Sequence, residues 1–286
     1  MQAITRRRFL GQGGLAAGAA LVACGTPGAA RANPIEMPVG VQTYIVRDTI
    51  GQDFAGTLRR LAGMGFQSIE MCSPHGYGKS WESLTKLTAT QMRETIGAAG
   101  LSCESCHYPF VELQEHLDER VAYAQELGLT QMVVSGFWLK KDATLDDWRK
   151  SAEACNRLGE RTRNAGIQLA FHNHHFEFAQ IDGTLIYDEL MERLDPDLVK
   201  MQFQVAVINI GYKAVTYFRK YPGRFISLHL ADYSAEKKQA VPIGQGVVDW
   251  DELFSEANAA GVKNYFVEMG AELLTPSAAY LHNLTV

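Results

Sequence analysis

Three histidines lie within the segment 171–178, directly after an apolar run at residues 166–170. The apolar run predicts a short buried strand, which places the histidines at its carboxyl end. Because side chains alternate between the two faces of an extended strand, His172 and His174 are expected to point the same way. Two imidazoles on one face at a strand end suit the binding of a divalent metal ion or the transfer of a proton. The alternative for this segment is a polar strand end whose histidines only meet solvent.

Short apolar runs alternate with longer amphipathic ones along the rest of the chain, and glycines follow the amphipathic runs as helix stop signals. Strands are predicted at residues 39–44, 66–71, 101–107, 131–135, 166–170, 198–205, 225–230 and 265–268. Helices are predicted at residues 53–64, 88–99, 113–127, 145–165, 214–221 and 250–260. Eight strand–helix units indicate an α/β protein with a closed (β/α)8 TIM barrel, formed by a single domain at residues 38–286. No G-x-G-x-x-G motif opens an early helix, which disfavours a dinucleotide-binding open sheet.

The predicted barrel brings polar residues of several strands to one pole. Active sites of this fold lie at the carboxyl ends of the strands. Residues capable of metal binding or proton transfer recur there on six different strands: Glu70, His107, His172 with His174, Gln204, His229 with Asp232, and Glu268. We therefore expect this pole to carry the functional site.

The first 32 residues are typical of an export signal. Residues 5–10, Thr-Arg-Arg-Arg-Phe-Leu, form a twin-arginine pattern, and a weakly apolar Gly/Ala-rich run follows it. The run is too short and too weakly apolar for a spanning helix, so we predict twin-arginine export of a periplasmic protein. Cleavage after residues 30–32, Ala-Arg-Ala, would release a soluble protein. Cleavage before Cys24, in a lipobox-like sequence, would leave a lipid-anchored one, and an uncleaved tail is the third alternative.

The charge of the chain limits its partners. The formal net charge is −5, and residues 1–32 contain four arginines and no acidic residue, so the remaining chain has a charge near −9. An acidic domain without a basic stripe argues against nucleic acid and against anionic membrane surfaces as partners.

Several segments together resemble one family, the xylose isomerase-like barrels, which are often called sugar phosphate isomerases/epimerases. The resemblance covers nearly all of the chain after the export signal. The segments that carry it are residues 40–48, 65–70, 171–174, 221–224, 229–232, 242–250 and 266–268.

The resemblance implies a divalent metal held at four strand ends, typically by a glutamate, an aspartate, a histidine and a glutamate. His229 and Glu268 match two of these positions, whereas the other two positions fall on His172 and Gln204. The set His172, Gln204, His229 and Glu268 carries less negative charge and more nitrogen than the usual one. It therefore favours manganese, zinc or cobalt over magnesium. Weaker binding, or loss of the metal, is the alternative consequence of the two replacements.

The resemblance also implies a metal-dependent sugar isomerase or epimerase that removes a proton next to a carbonyl of a small carbohydrate. Glu268, His174 and His107 are the predicted catalytic residues. Glu70, Glu177 and Asp232 are predicted at the substrate-binding site, either in contact with substrate or by orienting the imidazoles.

Two other functions stay open at this stage. A periplasmic lyase or hydratase acting on keto-glycosides would use the same proton abstraction but expel a leaving group. A non-catalytic sugar-binding barrel would follow if the altered site held no metal. Trp138 and Tyr108 are candidates for stacking on a sugar face, although aromatic residues more often belong to the core or the rim.

Overall fold

Eight parallel strands close into a barrel in the computed structural model, which describes residues 37–284. Each strand pairs with its neighbours in chain order, and the first strand also pairs with the last. The predicted (β/α)8 barrel is confirmed, while the predicted export signal and Cys24 lie outside the described residues. The strands are Gly40–Gln42 (β1), Ser68–Cys72 (β2), Ser102–Tyr108 (β3), Gln131–Val134 (β4), Gln168–His172 (β5), Val199–Gln204 (β6), Phe225–Leu230 (β7) and Asn264–Val267 (β8).

One α-helix of the outer ring follows each strand. These helices are Phe54–Gly63 (α1), Ala89–Ala98 (α2), Phe110–Leu127 (α3), Leu145–Asn164 (α4), Ile186–Arg193 (α5), Ala214–Lys220 (α6), Trp250–Ala260 (α7) and Leu274–Asn283 (α8). Helices α5 and α8 were not predicted from the sequence, and no glycine stop follows either of them. Threonine capping boxes start α2 and α4, which the sequence predicted.

Shorter elements lie in the connections of the barrel. A single turn of α-helix, Arg47–Ile50, precedes α1. Two strand pairs form hairpins, Gln180–Ile181 with Thr184–Leu185 and Asp232–Ser234 with Gln239–Val241. The 3-10 helices are Thr43–Val46, Lys79–Lys86, Phe176–Phe178, Val205–Ile210 and Ala271–Leu273.

The alternation of side chains along each strand separates the apolar core from a polar barrel interior. On β6, the ring of Phe203 packs against aromatic rings of α5 and α6, including Tyr187 at 5.9 Å and Tyr217 at 5.6 Å between ring centroids. Its neighbours Gln202 and Gln204 point to the interior, where both are hydrogen-bonded. Within residues 37–284, no helix combines the length and the apolar character that crossing a membrane requires.

The backbones of β1 and β8 lie close together at Gly40, which has no side chain. A Cβ placed on Gly40 would lie 2.3 Å from the backbone oxygen of Tyr265, closer than the backbone tolerates without a shift. We predict that Gly40→Ala lowers the free energy of unfolding by about 1–3 kcal/mol, a typical cost of overpacking. Urea denaturation measures this change.

Gly63 in α1 provides the matched control, because a Cβ there would meet no atom within 4 Å. Gly63→Ala is expected to leave stability unchanged or raise it by about 0.5–1 kcal/mol through better helix propensity. Equal effects of the two substitutions would contradict close contact between β1 and β8.

Candidate active site

A layer of polar side chains fills the carboxyl-end half of the barrel interior. Strand register brings them level: Gln42 pairs with Glu70, His172 with Gln202, and Gln204 with His229. All of these side chains are buried although they are polar. Because buried polar groups need hydrogen-bond partners, the layer is expected to form a connected network.

His229 connects the two carboxylates of this network. Its Nε2 lies 2.5 Å from Oε2 of Glu70, and its Nδ1 lies 2.9 Å from Oε2 of Glu268. Burial by itself would lower the pKa of His229, but Glu268 and Glu70 raise it to about 9. At neutral pH the ring therefore carries a proton on each nitrogen and donates to both carboxylates.

Glu70 is enclosed on all sides by the barrel interior. Besides His229, it accepts hydrogen bonds from Gln42 Nε2 at 2.6 Å, Ser105 Oγ at 2.6 Å and Gln202 Nε2 at 2.8 Å. Burial would raise the pKa of this carboxyl, yet the neighbouring His107 and His229 hold it well below its usual range. Glu70 is thus a fixed negative charge at the base of the site, and the geometry favours its orienting role over contact with substrate.

Two further imidazoles lie beside this network, that of His172 buried and that of His174 half-buried. The ring of His172 lies 4.4 Å from that of His229 and 4.8 Å from that of His174, between ring centroids. The Nδ1 atoms of both His172 and His174 are buried without a hydrogen-bond partner. Burial lowers the pKa of His174 to about 4, and burial together with nearby histidines lowers that of His172 well below its usual value. Both rings are therefore neutral at neutral pH.

The donor set fits a divalent cation. Oε2 of Glu268 lies 2.9 Å from Nδ1 of His229 and accepts a hydrogen bond from Nε2 of Gln204 at 2.6 Å, while Oε1 of Gln204 accepts from the backbone N–H of Ala206. The unpartnered Nδ1 of His172 adds an imidazole donor next to them. Ligand atoms of His107, His172 and His229 also lie within 4.8 Å of one another. Nitrogen-rich donors of this kind suit zinc, cobalt or manganese.

Glu70 gives one histidine the partner that metal-bound imidazoles commonly have. A ligating histidine usually donates its other ring N–H to a carboxylate, which fixes the tautomer. Glu70 accepts from Nε2 of His229, so Nδ1 is the atom that faces Glu268. Among the candidate ligands, His229 is therefore oriented for a cation bound next to Glu268.

A cavity of about 590 Å³ opens from this layer toward the loops at the carboxyl ends of the strands. His107, His172, His174 and Glu268, which the sequence analysis selected, share it with residues that it did not place in the site. The full lining is Tyr44, Gly76, Tyr77, Gly78, His107, Pro109, Ser135, Trp138, His172, His174 and Glu268.

Glu177 and Asp232, both predicted at the substrate-binding site, are buried and do not line the cavity. Glu177 accepts a hydrogen bond from the backbone N–H of His174 at 2.7 Å, and burial raises its pKa to about 8. Asp232 accepts from the backbone N–H groups of Gly244 and Gly246 and from Nε1 of Trp250, each at 3.0 Å. These contacts give both carboxyls a role in positioning loops, and their contact with substrate stays a prediction.

The sequence analysis did not select the deeper members of the network, Ser105, Gln202 and Ser227. Gln202 donates to Glu70 and to Ser227, and it accepts from Nε2 of His107 at 2.6 Å. Each of the three lies two residues before a selected residue on the same strand. Because side chains two residues apart on a strand face the same side, the sequence indicated that these three residues also point into the barrel.

Two bacterial inosose dehydratases are similar to this chain in sequence at low identity. An inosose dehydratase from Lacticaseibacillus casei is 32% identical over 94 residues, which are 32% of this chain and 31% of that protein. This match spans only about a third of the relative's length. An inosose dehydratase from Geobacillus thermodenitrificans is 24% identical over 252 residues, or 75% of this chain and 80% of that protein.

Solved structures share the fold over most of both chains. A sugar phosphate isomerase/epimerase from Parabacteroides distasonis superposes with a TM-score of 0.75 at 24% identity, covering 87% of this chain and 96% of that one. A xylose isomerase-like barrel protein from Mycobacterium smegmatis, solved in complex with magnesium, has a TM-score of 0.61 at 17% identity, covering 86% and 95%. The sequence profile of the xylose isomerase-like TIM barrel matches residues 58–281. The chain belongs to the xylose isomerase-like TIM barrel family.

Proposed function

We propose that this protein is a metal-dependent enzyme that removes a proton from the carbon next to a carbonyl of a carbohydrate. The observation that carries the proposal is the position of Glu268, the one carboxylate among the residues that line the cavity of the described chain. Its side chain is 23% exposed, whereas that of Glu70 is fully buried. Glu268 is thus the carboxylate that a bound substrate meets.

The surroundings of Glu268 suit a proton acceptor. Burial would raise its pKa, but His229 lowers it, so the carboxylate is ionised at neutral pH. The hydrogen bonds from His229 and Gln204 both go to Oε2, which leaves Oε1 free of these two donors. A positioned carboxylate of this kind acts as a general base.

Two imidazoles complete the proton-handling groups of the site. His174 is neutral at neutral pH because burial lowers its pKa to about 4, and its ring lies against the cavity. His107 also lines the cavity, and its Nε2 is hydrogen-bonded to Oε1 of Gln202. These two rings are placed to bind substrate hydroxyl groups or to move a proton at a second position.

His172, Gln204, His229 and Glu268 are the residues that would hold the cation. When bound, a divalent ion polarises a carbonyl or hydroxyl oxygen and so makes the adjacent C–H more acidic. The cavity lining contains neither lysine nor arginine among the described residues, so it offers no side-chain cation to a phosphate group. This composition supports an unphosphorylated carbohydrate as the substrate.

Two reactions begin with this proton abstraction. Isomerisation or epimerisation, our first candidate, returns the proton to the substrate, and the similarity in fold to a sugar phosphate isomerase/epimerase supports it. Elimination from a keto-sugar expels an oxygen leaving group instead. The inosose dehydratase that matches 75% of this chain favours this second candidate. Incubating metal-loaded protein with ketoses and with keto-glucosides distinguishes the two reactions by their products.

Replacing the proposed base separates catalysis from metal binding. We expect Glu268→Gln to lower turnover by about 10²–10⁴ even with excess metal, because an amide does not accept the proton at useful pH. His229→Ala is expected mainly to weaken metal binding, and excess metal should partly restore its activity. Steady-state kinetics at rising metal concentration measures both effects.

Glu104→Gln serves as the control for the loss of a carboxylate, because Glu104 is exposed on β3 away from the cavity. Its activity should equal that of the unchanged protein. If Glu268→Gln kept most of its activity, the base would be another group, with His174 and His107 next to be tested.

Metal affinity is predicted to rise with pH. A cation at Nδ1 of His229 must displace the proton that Glu70 and Glu268 stabilise there, and the pKa of the ring is about 9. Affinity should therefore increase by about tenfold per pH unit from neutral pH and level off near pH 9. Competition with a coloured chelator across this range measures the slope. A flat profile would show that no proton leaves His229 when metal binds.

We also propose that the protein is exported to the periplasm through the twin-arginine pattern at residues 5–10. Replacing Arg6 and Arg7 together by lysine should retain the protein in the cytoplasm in cell fractionation, whereas Arg31→Lys should not. Cys24→Ser should change membrane association only if the mature protein carries a lipid at that residue. Export of the Arg6/Arg7 variant at the normal level would refute the proposed route.

A further inference from the structure

Trp138 differs from the other tryptophans of the chain. It lies four residues after the end of β4, and 60% of its surface is exposed, whereas Trp81, Trp148 and Trp250 are exposed by 5% or less. Its backbone φ is +51°, in the left-handed region that bulky residues rarely adopt. Backbone strain of this kind persists where surrounding structure imposes it, and it is concentrated at functional sites.

The indole of Trp138 is held against a proposed proton-transfer residue. Its ring lies 4.7 Å from the ring of His174 and 5.3 Å from that of Phe176, between centroids. The His174 and Phe176 rings are themselves stacked at 5.0 Å. Gly136 makes this approach possible, because a Cβ there would lie 3.3–3.4 Å from His174 and from Nε1 of Trp138. The exposed indole therefore packs against two rings of the loop after β5.

Trp138 lies between two cavities. On one side is the cavity of about 590 Å³ that contains the candidate active site. On the other side is a second cavity of about 410 Å³, also lined by Trp138 and by Trp148, Phe176 and Ile181. Lys140 and Lys141 line the second cavity too, and they are exposed. The two cavities thus share one aromatic wall.

We propose that the second cavity is a subsite for a second ring of the substrate, so that the enzyme prefers a glycoside to a free sugar. This inference rests on the proposed carbohydrate function and names the substrate class more closely. One sugar ring occupies the polar cavity beside His107, His172 and Glu268. The ring attached to it passes Trp138 and lies against the aromatic lining of the second cavity.

The chemistry of the second cavity supports such an occupant. Both volumes fall within the roughly 300–1,000 Å³ of pockets that enclose a small-molecule ligand, so each cavity can take a ring of its own. An exposed, rigid indole offers a large apolar face at little conformational cost. Lys140 and Lys141 supply hydrogen-bond donors for the hydroxyl oxygens of a sugar ring.

Binding to the full-length, metal-loaded protein tests the subsite without requiring turnover. D-glucose, cellobiose and phenyl β-D-glucoside are compared by isothermal titration calorimetry. We expect the two glycosides to bind at least tenfold more tightly than glucose, and Trp138→Ala to reduce this ratio to less than threefold. If cellobiose exceeds glucose in affinity by more than phenyl β-D-glucoside does, a sugar ring is the preferred occupant of the second cavity. If phenyl β-D-glucoside exceeds glucose by more, a planar ring is preferred.

Ile210→Ala is the control, because Ile210 is 47% exposed but lines neither cavity. It should leave the ratio unchanged. Iodide quenching of tryptophan fluorescence gives a second readout, since Trp138 is the exposed tryptophan. Cellobiose should protect the fluorescence from iodide more strongly than glucose does.

Equal affinities for glucose and the glycosides would overturn the subsite, and so would a preference that survives Trp138→Ala. Failure of the glycosides to bind at any soluble concentration would also overturn it. None of these results depends on catalysis. Failure of the proposed reaction would instead appear as absent turnover by a protein whose glycoside preference is intact.

Discussion

The buried ion-pair chain from Glu70 through His229 to Glu268 determines how the rest of the site is arranged. A lone carboxylate inside a barrel would cost several kcal/mol in lost hydration. Glu70 avoids this cost because Gln42, Ser105 and Gln202 donate to it and His229 supplies a positive charge. The same histidine then reaches Glu268, so one ring fixes the base of the site and the carboxylate that faces the cavity.

The resemblance implies carboxylates at the positions of His172 and Gln204. The residues found there are consistent with the ion pairs from Glu70 through His229 to Glu268. A carboxylate at residue 172 would stand near His229 and would add negative charge next to Glu70 and Glu268. His172 instead places a neutral ring 4.4 Å from the ring of His229. Gln204 likewise donates an amide hydrogen to Glu268 rather than repelling it. Within this network the carboxylates that balance the charge of His229 are therefore Glu70 and Glu268.

Much of the fold could be predicted from the sequence, because apolar strand runs and glycine helix stops are local signals. The strand-end residues followed from the same pattern, although β5 extends to His172, two residues beyond the predicted end. Helices α5 and α8 were missed because neither is followed by a glycine, the stop signal that follows α1 to α4 and α7. The burial of Glu177 and Asp232 also escaped prediction. Their backbone partners come from loops whose paths depend on tertiary packing.

The backbone conformation of Trp138 is the clearest example of a feature that could not be predicted from the sequence. Nothing in the order of residues 136–138 predicts a tryptophan with a φ of +51°, and the rings that its side chain contacts are distant until the chain folds. His174 and Phe176 come from the loop after β5, whereas Trp138 follows β4.

This arrangement separates two tasks between the barrel and its loops. Strand residues with many hydrogen bonds hold the proposed reactive groups in place, as the proposed proton abstraction would require. Loop aromatics, fixed against one of those groups, define how far a ligand can extend beyond it. Under the proposed function, changes in the loop after β4 would alter which carbohydrate binds while the charges of the barrel interior stay the same.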